Sequence, residues 1–269
     1  DIVREQFRIA AGGSIADLAA RRDGYAMELR INAERAVLDA EEALTFLPSP
    51  GTVTRLHFPA QEGIILICGV REGRQVTPYY DSMIIQLIGH AASRGDVIAR
   101  LRNYLERMEV RGVSTNIPLL KRVLDDEVFR SGRYDTRFLE EFAARVDCAS
   151  LAGEMEAETD GTVLQIDRLR IADTDEVRVL SPTAGVFYRT ASPGEPEFVA
   201  PDDVVDRKKT LCLLEAMKMF QPLTLASFRA GGSPVYAGER YRIVRVVPEN
   251  GQKVNHGDLL FILRPERTE

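Results

Sequence analysis

Leu213-Leu214-Glu215-Ala216-Met217-Lys218-Met219-Phe220 places one lysine between two methionines, with strand-like apolar residues running in from both sides. Outward from Lys218, the chain beyond residue 177 is patterned as β structure. Residues 176–180, 185–189, 210–214, 220–225, 241–247 and 259–263 read as short strands separated by Gly and Pro. Short strands at such spacing predict a small sandwich or flattened barrel. Lys218 then falls at a hairpin tip, where a tight turn holds the amine toward solvent. Taken alone, a Met-Lys-Met triplet is an ordinary turn lysine between gap-filling methionines.

Upstream the pattern changes to mixed helix and strand, so the whole chain reads as α+β. Residues 2–11 carry apolar side chains at near-helical spacing and stop at Gly12-Gly13. Residues 25–33 alternate like a strand, and Phe46-Leu47-Pro48-Ser49-Pro50-Gly51 is turn chemistry ahead of a second strand at 52–58. A third strand, 63–70, is apolar nearly throughout and reads as buried on both faces. Residues 84–88 fit helix or strand equally. Residues 94–109 form an amphipathic helix with Val97, Ile98, Leu101, Tyr104, Leu105 and Met108 on one face. Asn116 is placed as the N-cap of a helix running to about 125, with Pro118 just inside. A helix at 136–146 closes the first unit. This divides the chain into 1–146, a linker at 147–176 with short strands such as 162–171, and a β unit at 177–265.

Composition limits the function classes. The chain has 269 residues, a formal net charge of -6 and a sequence pI near 5.4. That balance gives no field attracting a polyanion, so nucleic acid and anionic membranes are not expected partners. Cys68, Cys148 and Cys212 are odd in number and lack CxxC spacing, which argues against a disulfide framework or zinc site and for a reducing, cytoplasmic setting. No metal ligand set is assigned. No apolar run approaches the roughly 20 residues that span a bilayer. Asp1-Ile2-Val3-Arg4 is neither a signal peptide nor an initiator start, so the sequence reads as a fragment.

Ala216-Met217-Lys218-Met219, preceded by Glu215, resembles the biotin attachment motif of biotinyl carrier domains. Ser181-Pro182-Thr183-Ala184-Gly185-Val186-Phe187-Tyr188 resembles the opening strand of that domain in acetyl-CoA carboxylases. The run from Glu249-Asn250-Gly251 to Leu259-Leu260-Phe261 resembles its closing hairpin. Residues 190–198 stand where that carrier type has a protruding thumb able to cover biotin. Residues 226–240 are longer than the usual crossing and read as an inserted loop. The first half resembles the C-terminal part of biotin carboxylase, through the 1–12 helix, Arg30-Ile31-Asn32-Ala33-Glu34, the 46–51 segment, Pro78-Tyr79-Tyr80-Asp81-Ser82-Met83 and Gly112-Val113-Ser114-Thr115-Asn116, in the family order.

The resemblance implies part of a biotin-dependent acyl-CoA carboxylase. Biotin would be held covalently on Lys218, with Glu215, Ala216, Met217 and Met219 around it. ATP, Mg and bicarbonate would serve the complete enzyme. The implied partners are the ATP-binding part of the carboxylase, a carboxyltransferase, biotin protein ligase, an acyl-CoA acceptor (acetyl-CoA or longer) and further copies of the chain. No catalytic residue is assigned within this sequence. It contains no phosphate-cradling loop, so alone it is not expected to phosphorylate bicarbonate. Many family members carry an arginine on the third strand, followed two residues later by a carboxylate, and that arginine is associated with stabilising the biotin enolate. Those positions are Ile65 and Ile67 here, which removes a charged donor. A non-catalytic scaffold carrying a biotin carrier is therefore the alternative. A lipoyl carrier, which shares the hairpin lysine, is a third reading against which the flanking methionines argue.

Overall fold

The computed structural model describes residues 2–16, 18, 23–38, 44–156, 176–227, 229–230, 233–234 and 240–266. Its first half is built on a three-stranded antiparallel sheet ordered Tyr25–Asn32, Met83–Ala91, Ile64–Cys68. Alternation along Tyr25–Asn32 turns Leu29 and Ile31 inward and Glu28 and Arg30 outward, as period-2 side-chain placement requires. The run at 84–88, ambiguous by periodicity, lies within the central strand.

The helix Arg94–Arg107 lies on the inner face, where Ile31, Ile85, Leu87, Leu101 and Leu105 are all but fully buried. Ser93 caps it by accepting from the Asp96 amide at 3.1 Å. Helix and sheet approach closely at Gly89, where a Cβ would lie only 2.8 Å from Leu101 Cγ. The expected helix after Asn116 is Ile117–Asp125, but the Asn116 side chain does not cap it. Its Oδ1 instead accepts from the Asn32 amide at 2.9 Å, and its Nδ2 donates to the Arg30 carbonyl at 3.1 Å. A tertiary tie to the edge strand has displaced the local cap.

Three other expectations change. Phe46 to Pro48 belong to the strand Leu44–Pro48, which forms a hairpin with Glu34–Leu38, so only Ser49-Pro50 remains as the turn. The helix read at 136–146 is the shorter Phe138–Ala143, preceded by Glu127–Ser131. The linker does not start at Asp147, because Cys148–Glu156 is a helix. It buries Leu151 and Met155 completely, in a cluster with Ala36, Leu119, Phe138 and Phe142. Burying two such side chains stabilises by roughly 1.5–3 kcal/mol each, enough to fix a short helix that propensity alone would not. The strand read at 162–171 lies outside the described residues. The helix Ile2–Ala10 is present and has no buried residue, with Phe7 74% and Ile9 49% exposed.

Among its described residues the second half contains two four-stranded antiparallel sheets. One is ordered Val177–Leu180, Leu259–Pro265, Arg240–Val246, Val204–Asp206, and the other Met219–Leu223, Cys212–Ala216, Gly185–Tyr188, Gln252–Val254. Val204–Asp206 is a strand that periodicity did not mark. One core joins the two sheets, including Leu214, Ile243, Leu260 and Leu263, with the rings of Phe187 and Phe261 5.8 Å apart. Gly185 is required because a Cβ there would sit 2.5 Å from the Glu215 carbonyl oxygen. Of the inserted segment, Leu225–Ser227 forms a single 3₁₀ turn and Arg229–Ala230 pairs with Ser233–Pro234. Much of the rest of 226–240 lies outside the described residues.

Candidate functional site

The ladder between Cys212–Ala216 and Met219–Leu223 closes with Ala216 opposite Met219, leaving Met217 and Lys218 as a two-residue loop. Both have positive φ, 50° at Met217 and 62° at Lys218. Two-residue hairpin loops favour this mirror-image backbone because its twist matches the strands, but they normally recruit Asn and Gly. For side chains with a Cβ the conformation costs on the order of 1–2 kcal/mol per residue. Among the described residues only Asp202 is otherwise non-glycine with positive φ. Strain is thus concentrated at the one lysine singled out by sequence.

The flanking side chains divide sharply. Lys218 is exposed, whereas Ala216 and Met217 are each only 2% exposed. Met219 and Glu215 are half-buried. The Tyr188 hydroxyl donates to the Glu215 carboxylate at 2.7 Å, and the Tyr188 ring lies 5.7 Å from that of Phe220. The hydrogen bond to Glu215, with burial and the carboxylate's charge behind it, pushes the Tyr188 phenol above its ordinary range. Tyr188 lies outside the 215–219 motif, on the strand Gly185–Tyr188 that pairs with Cys212–Ala216. The register that brings it to Glu215 is what makes it part of the site.

Met217 is buried in an unexpected place. Its side chain belongs to the core of the first half, and its amide donates to the Pro78 carbonyl at 2.5 Å. Beside this contact, Lys253 Nζ lies 4.8 Å from the centre of the Tyr79 ring. Residues 190–198 form an exposed closed loop. Its base is held by a Thr190–Glu197 bridge, a Phe198 amide to Arg189 carbonyl bond of 2.8 Å, and an Arg189–Glu197 ion pair of 3.1 Å.

A second candidate surface is the outer face of the three-stranded sheet. The strand Ile64–Cys68, expected to be buried on both faces, leaves Ile65 60% and Ile67 53% exposed. Its register sets Ile65 opposite Ile88, which faces Glu28, and Ile67 opposite Gln86, which faces Arg30. Arg30 Nε donates to Glu28 at 2.8 Å, and Gln86 donates to the same oxygen at 3.3 Å. The open face is thus two isoleucines bordered by one solvated ion pair. Arg71 and Arg74 lie in the exposed turn beyond the strand and not on this face.

Two other features fall away as reactive sites. Cys212 is buried without charged help, and desolvation raises its thiol far above the normal range, so it is an inert core residue. Among the described residues no group of three His, Cys, Asp or Glu side chains is placed to hold a metal. No helix among them is long and apolar enough to cross a membrane.

A helix-backed antiparallel sheet of this order is followed by a β-rich unit presenting a strained lysine turn, and the sequence matches fall on the first of these two parts. Residues 28–141 match the family described as biotin carboxylase C-terminal domain. It is 40% identical over 141 residues to a biotin carboxylase of Halalkalibacterium halodurans, covering 52% of this chain and 30% of the relative. It is 42% identical over 143 residues to the 2-oxoglutarate carboxylase small subunit of Hydrogenobacter thermophilus, covering 52% of this chain and 29% of that one. The chain therefore spans only about three tenths of the length of these curated relatives. A solved single-chain, multi-domain long-chain acyl-CoA carboxylase is similar at 25% identity, covering 100% of this chain and 24% of that one with a TM-score of 0.49.

Proposed function

We propose that the chain is part of a biotin-dependent acyl-CoA carboxylase, in which residues 177–265 are a biotinyl carrier and Lys218 is its attachment point. The observation that carries this reading is the Met217–Lys218 turn. A two-residue loop with both φ values positive holds an exposed amine on a rigid four-stranded support. An amine that must meet a modifying enzyme and then separate active sites needs that combination of exposure and fixed direction. Acylation at Nζ forms an amide, expels the activating group of the incoming acid and removes the ammonium charge. Biotin, once attached, supplies a ring nitrogen that carries a carboxyl group. Glu215, Ala216, Met217 and Met219 shape the turn, and Tyr188 holds Glu215 in line with the ladder. The loop at 190–198, pinned at its base, fits the role of a thumb over the attached group.

The first half supports the same assignment through its biotin carboxylase relatives. On this reading the complete protein also has an ATP-, Mg- and bicarbonate-using part, a carboxyltransferase partner acting on acetyl-CoA or a longer acyl-CoA, and a homo-oligomeric assembly. Lys218 does no chemistry of its own. It is a cargo hook. Treatment with biotin protein ligase, ATP and biotin followed by intact mass should add one biotin to the chain and none to Lys218→Arg. An unmodified wild-type mass would remove the carrier assignment.

The outer sheet face favours a second reading. Ile65 and Ile67 offer no hydrogen-bond donor there, as a non-catalytic scaffold would allow. Assay of the complete native protein with free biotin, ATP and bicarbonate separates the two, since turnover without another carboxylase subunit eliminates the scaffold.

A further inference from the structure

The hairpin is not simply held out to solvent. Its two sides have opposite fates, because Lys218 is exposed while the adjacent Met217 is 2% exposed and packed into the core of the other half of the chain. The Met217 amide stands in the loop, where hairpin pairing provides no acceptor for it, and it finds one in the Pro78 carbonyl at 2.5 Å. Pro78 is itself buried, and it lacks an N–H, so its carbonyl is its sole backbone hydrogen-bonding group. Tyr79, next in sequence, turns its half-exposed ring to Lys253 Nζ at 4.8 Å. Lys253 sits on the strand Gln252–Val254, in the same sheet as the hairpin. One sheet therefore meets the 78–79 loop at two separate points, a backbone bond at the tip and a cation–π contact at the far edge strand.

We infer that Pro78-Tyr79 is a seat for residues 216–219 of this same chain, and that the hairpin must leave it before a protein enzyme can acylate Lys218. The occupant follows from the structure, since the seated segment is the turn itself. The steric consequence rests on Lys218 being the attachment point. A small reagent needs only the exposed amine, but an enzyme must close around the turn, and the Met217 side of the turn is occupied by the seat. Seating thus leaves the amine chemically open and enzymatically restricted. Release costs the Met217–Pro78 bond, the burial of one methionine and the Tyr79–Lys253 contact. None of these is a large barrier, so the seat regulates access without blocking it permanently.

Hydrogen exchange of the Met217 amide in the intact chain tests the seat directly, against Tyr79→Ala and Lys253→Ala. Both side chains lie at the surface, so neither substitution threatens either core. The wild-type amide should be protected. Exchange should accelerate about two- to fivefold in Lys253→Ala, as loss of an exposed cation–π contact predicts, and more in Tyr79→Ala. An unprotected wild-type amide, or equal rates in all three chains, overturns the seat. Biotin incorporation by biotin protein ligase should accelerate in the same order, while acetylation of Lys218 by an N-hydroxysuccinimide ester stays constant. Faster exchange with unchanged ligase rates overturns the access control. Absence of biotin from every chain overturns the Lys218 assignment and the access control with it, and the exchange data still decide the seat.

Discussion

The Tyr188 hydroxyl donates to the Glu215 carboxylate at 2.7 Å, joining the strand Gly185–Tyr188 to the arm that enters the Met217–Lys218 turn. A hydrogen bond to a charged acceptor contributes roughly 1.5–3 kcal/mol where both groups are sheltered. These are only partly sheltered, so Tyr188→Phe should cost about 1 kcal/mol in urea melts at pH 8. The phenol is held above its ordinary value of 10.0 in the folded chain, so between the unfolded and folded values the native state keeps a proton that the unfolded state loses. The contribution is therefore complete below pH 10.0 and fades as pH rises through the folded value. Wild type and Tyr188→Phe should converge in stability above that range. A constant difference from pH 8 to 11 would show that the bond is not coupled to the phenol proton.

The strained turn predicts a stabilising substitution at the site itself. Replacing Lys218, with φ of 62°, by glycine removes the Cβ penalty, partly offset by the extra freedom of glycine in the unfolded chain. Lys218→Gly should gain about 0.5–1 kcal/mol, or a few degrees in melting temperature, while abolishing biotin incorporation. Lys218→Arg should lose incorporation without the gain. If Lys218→Gly melts no higher than Lys218→Arg, the turn is not storing strain.

Asn116 gives a test of the first half. Its side-chain bonds to the Asn32 amide and the Arg30 carbonyl fix the edge strand that places Glu28 and Arg30 on the open face. Asn116→Ala leaves a partly buried donor and acceptor unpaired, so a loss of about 1–3 kcal/mol is expected. Asn116→Asp keeps the acceptor for Asn32 and should recover part of that loss. Equal losses would place the stabilising bond at Arg30.

How far each feature could be read from sequence follows from how local its physics is. Lys218 and its hairpin were legible because turn position and strand alternation are short-range properties. Asn116 was legible as a helix start but not as a tie to Asn32, since a partner 84 residues away outcompetes the local cap. Ile65 and Ile67 were read as buried because an apolar run reports the preference of the residues, not what lies over them. Met217 was read within its own hairpin, and its packing on Pro78 depends on a docking that no periodicity encodes. The helix Cys148–Glu156 was hidden for another reason. Its small and acidic residues resemble a linker, and only Leu151 and Met155, one turn apart, mark the buried side.

That helix supplies the last prediction, which decides where the first unit ends. If it is an integral part of the unit, truncating Leu151, 0% exposed among Ala36, Leu119, Phe138 and Phe142, leaves a cavity the neighbours cannot fully close. Leu151→Ala should then cost about 2–5 kcal/mol, within the range of buried leucine truncations. Leu139 is the matched control, because it lies 45% exposed on the adjacent helix Phe138–Ala143. Leu139→Ala should stay within about 0.5–1 kcal/mol of wild type. Urea unfolding of both variants in the intact chain distinguishes an integral helix from a linker: in a linker, position 151 would be as tolerant as position 139. Because Arg122 also reaches Ser150 at 2.8 Å and pairs with Glu154, Arg122→Ala should add a smaller loss to Leu151→Ala. The two should combine less than additively, since the same helix docks through both contacts.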